Sequence, residues 1–225
     1  MKKYLCIVIT ILMLISAVAC SRPTGDARLD YLVLVNKENK LPDGWELALD
    51  TVRITNSVGD EVETERAAYD AYLKLSKALE DEGIHVELDS AYRSVAAQQK
   101  IVDDFTKKYG DDYVKQYVAV PGYSEHHTGL ALDLYLIVDK KTVYENEDLV
   151  TYPDIWAKIH EKLAAYGFIL RYLEGKENIT GYNYEPWHIR YVGSESIAKQ
   201  ITDKGITLEE YLDRLPKTDV APPAE

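Results

Sequence analysis

The sequence predicts an α+β domain in which helices pack around a mostly antiparallel central sheet. Short apolar stretches with strand character, "IHVELDS", "GLALDLYLIV" and "EPWHIRYV", are interspersed with longer segments of helical periodicity. Their order along the chain fits helices set against such a sheet. Apolar residues make up 46% of 225, enough to bury the core that one domain with short extensions needs.

The N-terminal stretch "MKKYLCIVITILMLISAVAC" has a basic start, an apolar run and small residues before a cysteine, the layout of an export signal over residues 1–19. Ala17-Val18-Ala19-Cys20 resembles a bacterial lipoprotein processing box, which implies lipidation at Cys20. Plain cleavage and a retained anchor are the alternatives. Residues 20–30, including the polar "SRPTGDAR", then form a tether. Cys6 lies in the removed segment, so Cys20 is the single remaining thiol, and neither a disulfide nor a cysteine-rich zinc cluster is expected.

The folded domain is expected over residues 31–215. "YLVLV" (Tyr31–Val35) is a candidate first strand, closed by the turn-rich "NKENKLPDG". Glu63 to Glu82 carries apolar residues at helical spacing until Gly83. Ile84, Val86 and Leu88 alternate with His85, Glu87 and Asp89 as in a half-buried strand. A helix capped by Ser94 runs to Gly110, and a shorter one covers Asp112 to Val118 before the Pro121-Gly122 turn. "GLALDLYLIV" is a buried strand, "DKKTVYENEDLVTYPD" a polar loop and "DIWAKIHEKLAAYG" an amphipathic helix. "EPWHIRYV" is the last strand. Helices follow from Ser194 and from the Thr207/Glu210 capping box, and residues 216–225 read as a disordered tail.

The net charge of -12 and the lack of a basic cluster argue against nucleic acid as a partner. With no affinity for anionic lipid expected from that surface, localisation outside the cytoplasm would rest on the anchor at Cys20. A monomer is expected. Eighteen tyrosines against two phenylalanines suit half-wet grooves, although ordinary packing accounts for most of them.

Two fragments carry chemistry. "SEHHTGLALDL" sets His126 and His127 shortly before Asp133, and "YEPWHIRYV" holds Glu185 and His188. A catalytic zinc site takes three protein ligands and leaves one position for water, and His126, Asp133 and His188 supply such a set. Asp133, flanked by Leu132 and Leu134, needs a cation or strong hydrogen bonds nearby. Spacing alone does not separate His126 from His127. Glu185 is the candidate base, but residues three apart on a regular strand face opposite sides, so it shares a site with His188 only if the chain bends near Pro186. His85 and His160 fall in ordinary strand and helix patterns and read as structural or surface groups, and Trp187 as packing behind the ligand strand.

"SEHHTGLALD" and "EPWHIRYVG", with "LVNKENKLPDGW", "SAYRSVAAQQ" and "YGFILRYLEGKENITGY", resemble the VanY-type D-alanyl-D-alanine carboxypeptidases, within the zinc peptidases that include lysostaphin-like endopeptidases and hedgehog domains. The resemblance implies a hedgehog/D-Ala-D-Ala peptidase-like fold and Zn2+ on His126, Asp133 and His188. It also implies Glu185 as catalytic base and Arg93 beside the scissile carbonyl. Gln98 and Ser124 match substrate-contacting positions, and Arg171 and Tyr172 are candidates for lining the groove. The implied activity is removal of the C-terminal D-alanine from peptidoglycan stem peptides. L,D-carboxypeptidase action on tetrapeptide stems and a non-catalytic zinc-containing wall-binding lipoprotein stay open as alternatives, and a solute-binding lipoprotein is disfavoured by the short chain.

Overall fold

The computed structural model describes residues 29–216. The predicted signal segment, Cys20 with its tether up to residue 28, and the tail from residue 217 lie outside the described residues. The elements are β1 (Thr51–Thr55), β2 (Glu61–Glu65), α1 (Arg66–Glu80), β3 (His85–Ser90), α2 (Val95–Tyr109), α3 (Asp111–Tyr117), β4 (Ala131–Val138) and β5 (Lys141–Val143). They continue with α4 (Asn146–Leu149), α5 (Pro153–Leu163), β6 (Phe168–Leu170), α6 (Glu177–Thr180), β7 (His188–Tyr191), α7 (Glu195–Asp203) and α8 (Leu208–Asp213). Among the described residues no helix is long and apolar enough to cross a membrane.

β1 and β2 form an antiparallel hairpin. The main sheet has the order β3-β4-β7-β6, with β5 added to β4, and each pairing is antiparallel. β4 is its centre. β3 runs along one side, while the other side is shared by β7 at the N-terminal half and β5 at the C-terminal half. Leu132, Leu134 and Leu136 of β4 point to one face, because alternate residues of a strand share a side. There they pack with Leu75 and Leu79 of α1 and with Trp156, Ile159 and Leu163 of α5. β6 is covered on both faces: Phe168 joins this cluster, and Ile169 joins a second one with Ala198 and Ile201 of α7 and Leu208 and Tyr211 of α8. Asp133 faces away from the leucines, and the functional site is built there.

Ser94 accepts from the Ala97 N–H at 3.1 Å, and both halves of the Thr207/Glu210 capping box are formed. Tyr31–Val35, expected as the first strand, pairs with no strand among the described residues. Its alternation is real, since Leu32 and Leu34 pack on the α7–α8 cluster while Val33 and Val35 pack with Leu41. Its carbonyls, however, are taken by a side chain: the Arg190 guanidinium donates to Tyr31 O at 3.0 Å and Val33 O at 2.9 Å. The helix expected from Glu63 begins at Arg66, because Glu63 is held in the hairpin by Thr51 Oγ1 (2.6 Å) and Arg53 Nε (2.9 Å). The polar loop after β4 contains β5 and α4.

Candidate metal centre

Strand register brings the central pair together. Asp133 of β4 and His188 of β7 are direct cross-strand partners, so their side chains leave the sheet on one face. On the other side, a bulge at Asp89 shifts β3 so that Ser90 sits opposite Asp133. His126 arrives from a short 3-10 turn, Glu125–Thr128, just before β4. Gly129 ends that turn at φ 70°, where a Cβ would press on Leu49 and on the Glu65 backbone. The chain bends at Pro186–Trp187, and the His188 N–H donates to Glu185 O at 3.2 Å. That turn puts Glu185 Oε2 3.9 Å from His188 Nδ1, on the same side as the ligand atoms.

His126 Nε2 lies 3.2 Å from Asp133 Oδ2, and His188 Nδ1 lies 2.8 Å from Asp133 Oδ1. The outer nitrogens are engaged. His126 Nδ1–H donates to Ala91 O (2.7 Å), and His188 Nε2–H faces Glu125 Oε2 at 3.4 Å. The inner nitrogens of both imidazoles therefore point at the Asp133 carboxylate. Asp133 Oδ1 is buried and receives no bond of hydrogen-bond geometry, despite the 2.8 Å contact. One donor atom from each residue lies within 4.8 Å of the others, and ligands roughly 2.1 Å from a tetrahedral zinc stand about 3.4 Å apart. Two nitrogens and an orphaned carboxylate oxygen around one point fit Zn2+.

Electrostatics agree. Burial disfavours charge on Asp133, but the adjacent His126 and His188 outweigh it and hold the carboxyl far below its usual range. His126 is pushed down by burial. For His188 burial is overcome by Asp133 and Glu125, and the imidazole rises to about 10. Burial raises Glu185 to about 7, the range of a working acid–base group.

His127, the rival for His126, is occupied at both nitrogens: Nε2 accepts from the Gly122 N–H (3.0 Å) and Nδ1–H donates to Arg93 O (2.6 Å). It braces the loop and faces no other ligand. Arg171, expected to contact substrate, is instead fully buried. Its guanidinium binds Glu125 through Nε (2.7 Å) and Glu209 through both terminal nitrogens (2.9 and 2.6 Å). Arg190 Nη1 reaches the same Glu125 oxygen at 2.7 Å. Burial would raise Glu125, but the two guanidiniums hold it well below the usual carboxylate range. Glu125 thus stays anionic and orients His188. Sequence reading passed over it, although two arginines inside the apolar runs "ILRY" and "HIRY" signalled a buried anion.

The ligand atoms open into a pocket of about 400 Å³. Arg93 stands in its wall, donating to Gln98 Oε1 and Ser90 Oγ at 3.0 Å each. Gln98 is buried and its Nε2 donates to Ala119 O (2.8 Å), so both ends of its amide hold the arginine and the loop. Ser124, Tyr172 and Trp187 line the pocket, and the Tyr172 ring packs at a tilt against His188 with centroids 4.7 Å apart. Tyr182, which sequence reading did not single out, completes this wall, and burial raises its phenol to about 12.

By fold and donor set this is a zinc metallopeptidase of the hedgehog-like D-Ala-D-Ala peptidase group. A family model described as VanY, D-alanyl-D-alanine carboxypeptidase, matches residues 61–194. A D-alanyl-D-alanine carboxypeptidase of Enterococcus faecalis is 32% identical over 209 residues, 88% of this chain and 71% of that protein. The structure of the LdcB LD-carboxypeptidase matches with a TM-score of 0.72 at 35% identity, covering 83% of this chain and 87% of that one. A mutant of the vancomycin-resistance D,D-pentapeptidase VanY, in complex with Zn(II), matches with a TM-score of 0.66 at 31% identity, covering 81% and 98%. The chain belongs to the VanY D-alanyl-D-alanine carboxypeptidase family.

Proposed function

We propose that this chain is a zinc-dependent carboxypeptidase that removes the C-terminal D-alanine from peptidoglycan stem peptides. His126, Asp133 and His188 hold the metal, Glu185 is the base and Arg93 faces the scissile carbonyl. The observation that carries the reading is Glu185 Oε2 beside the converged ligand atoms, 3.9 Å from His188 Nδ1 and facing an open pocket. A purely structural metal site has no use for that carboxylate.

When bound, zinc supplies the Lewis acidity that brings the pKa of water toward neutrality and polarises a carbonyl. Glu185, poised near 7 in the metal-free site, accepts the proton of the attacking water and later delivers it to the leaving amine. Arg93, fixed by Gln98 and Ser90, places a rigid positive charge where the carbonyl oxygen becomes anionic. Loss of such a donor typically costs on the order of 10²–10³ in rate. Tyr172 and Tyr182 stay protonated and offer hydroxyls to a peptide.

The test is release of D-alanine from pentapeptide and tetrapeptide stems. Release from the pentapeptide supports the D,D reading. Release only from the tetrapeptide supports the L,D reading, which the fit to LdcB favours as second choice. No release from either removes the carboxypeptidase assignment. Glu185→Ala should abolish hydrolysis while zinc stays bound, and full activity in that variant would displace the base.

The reading extends to residues 31–215 as one catalytic domain, working as a monomer outside the cytoplasmic membrane. A lipid on Cys20 would hold it there, supported by the signal-like residues 1–19 and the processing pattern Ala17–Cys20. Labelling with a fatty-acid analogue that Cys20→Ser does not abolish would refute the anchor, and light scattering showing a dimer would refute the monomer.

A further inference from the structure

His160 reads from sequence as an ordinary helix residue, yet its ring reaches the turn that carries both Glu185 and His188. Its Nε2 lies 2.9 Å from the Pro186 carbonyl oxygen, and since that oxygen can only accept, Nε2 carries the proton. The ring stacks on Trp156, one helical turn earlier in α5, at 6.0 Å and 25°. Trp156 is itself pinned, buried at 1% exposure with Nε1 donating to Leu149 O at 2.8 Å. Leu149 belongs to α4 and lines the pocket.

The turn has few other ties. Its backbone is closed by His188 N to Glu185 O (3.2 Å), Leu134 N to Trp187 O (3.1 Å), Glu185 N to Tyr172 O (3.3 Å) and Arg171 N to His188 O (3.3 Å). Pro186 has no N–H to add. Among the described residues, His160 makes the one side-chain bond to the backbone of Glu185–His188, and it is shorter than those four. His188 is held independently by Asp133 and Glu125, whereas the Glu185 side chain is 29% exposed and makes no hydrogen bond shown among the described residues.

We propose that His160 is a positioning residue for Glu185: through the Pro186 carbonyl it fixes the turn that aims the base, and through Trp156 it ties that turn to the α4 wall of the pocket. This rests on Glu185 being the base. It places the effect in the chemical step rather than in metal or substrate binding.

The experiment compares wild type with His160→Phe, which keeps a ring on Trp156 but has no donor, and with His160→Gln, whose amide can donate to the same carbonyl. kcat, KM and bound zinc are measured, with exchange of the His188 amide followed by NMR. His160→Phe should lower kcat about 10- to 100-fold, as expected for a slightly misplaced group, with KM within about twofold and one zinc retained. His160→Gln should recover most of kcat. Exchange of the His188 amide should rise about tenfold in the phenylalanine variant and return in the glutamine variant. Wild-type kcat in His160→Phe, equal losses in both variants, or zinc lost in step with kcat would each overturn the proposal. If the wild-type protein cleaves neither stem, the proposed function fails, and unchanged amide exchange would then overturn the His160 assignment by itself.

Discussion

Metal uptake should be coupled to proton release, and the structure says from which atoms. In protein stripped of metal, Asp133 and Glu125 raise His188 to about 10, so its imidazole is cationic at neutral pH and Nδ1 is protonated. Coordination needs the lone pair that this proton occupies. That proton has to leave before the nitrogen can bind a cation, so uptake is opposed at low pH. Glu185, at about 7, is mostly protonated at pH 6 and should ionise when a divalent cation arrives nearby. Zinc binding at about pH 6 should therefore release close to two protons, about one from each residue. Glu185→Gln should reduce the number to about one. The sign follows: zinc competes with protons, so its affinity rises with pH, roughly tenfold per unit for each proton displaced. Calorimetric titration of chelated and dialysed protein, in buffers of different ionisation enthalpy, counts these protons. Affinity that is flat between about pH 6 and 8, with no proton released, would refute the reasoning and make His188 neutral in the empty site.

Other outcomes follow from the same geometry. Zinc at about 100 times its Kd should add about 2.7 kcal/mol of stability, so chelation should lower Tm by roughly 5–10 °C in a scanning calorimeter as activity disappears. Glu125→Gln leaves Arg171 and Arg190 buried beside a neutral group and should cost about 3–5 kcal/mol, read from urea unfolding; a loss under about 1 kcal/mol would contradict the described network. Gly193 lies at φ 74° with its Cα against the Tyr31 ring, so Gly193→Ala should destabilise by about 1–3 kcal/mol in the same assay.

The parts of the fold legible in the sequence were those in which local pattern and tertiary role coincide. β4 reads as a strand because Leu132, Leu134 and Leu136 all face one core, and α5 as a helix because Trp156, Ile159 and Leu163 do the same. The hairpin of β1 and β2 was missed although Val52 and Ile54 alternate with Thr51, Arg53 and Thr55, because that run is only five residues long and its partner, EVETE, offers a single apolar residue, Val62. Tyr31–Val35 has the opposite character: its alternation is that of a strand, but Arg190, distant in sequence, takes its carbonyls. At the site, residue types disclosed His126, Asp133, Glu185 and His188, and no pattern distinguishes an arginine lining a pocket from one sealed beneath it. Arg171 was misplaced for that reason. Spacing could not separate His126 from His127, since neighbours on a 3-10 turn differ only in where the turn aims them. The family resemblance favoured His126, and the fold turns His127 to Gly122 and Arg93 instead.

Glu125 and His126 are consecutive residues on one four-residue turn, yet they serve different imidazoles: His126 offers its own nitrogen, and Glu125 steadies His188 from behind. Any displacement of that short segment therefore disturbs both nitrogen donors in the same instant. Damage to this segment should therefore weaken the centre more than loss of either residue's contact alone, leaving His188 with only Asp133 and the strand register to hold it.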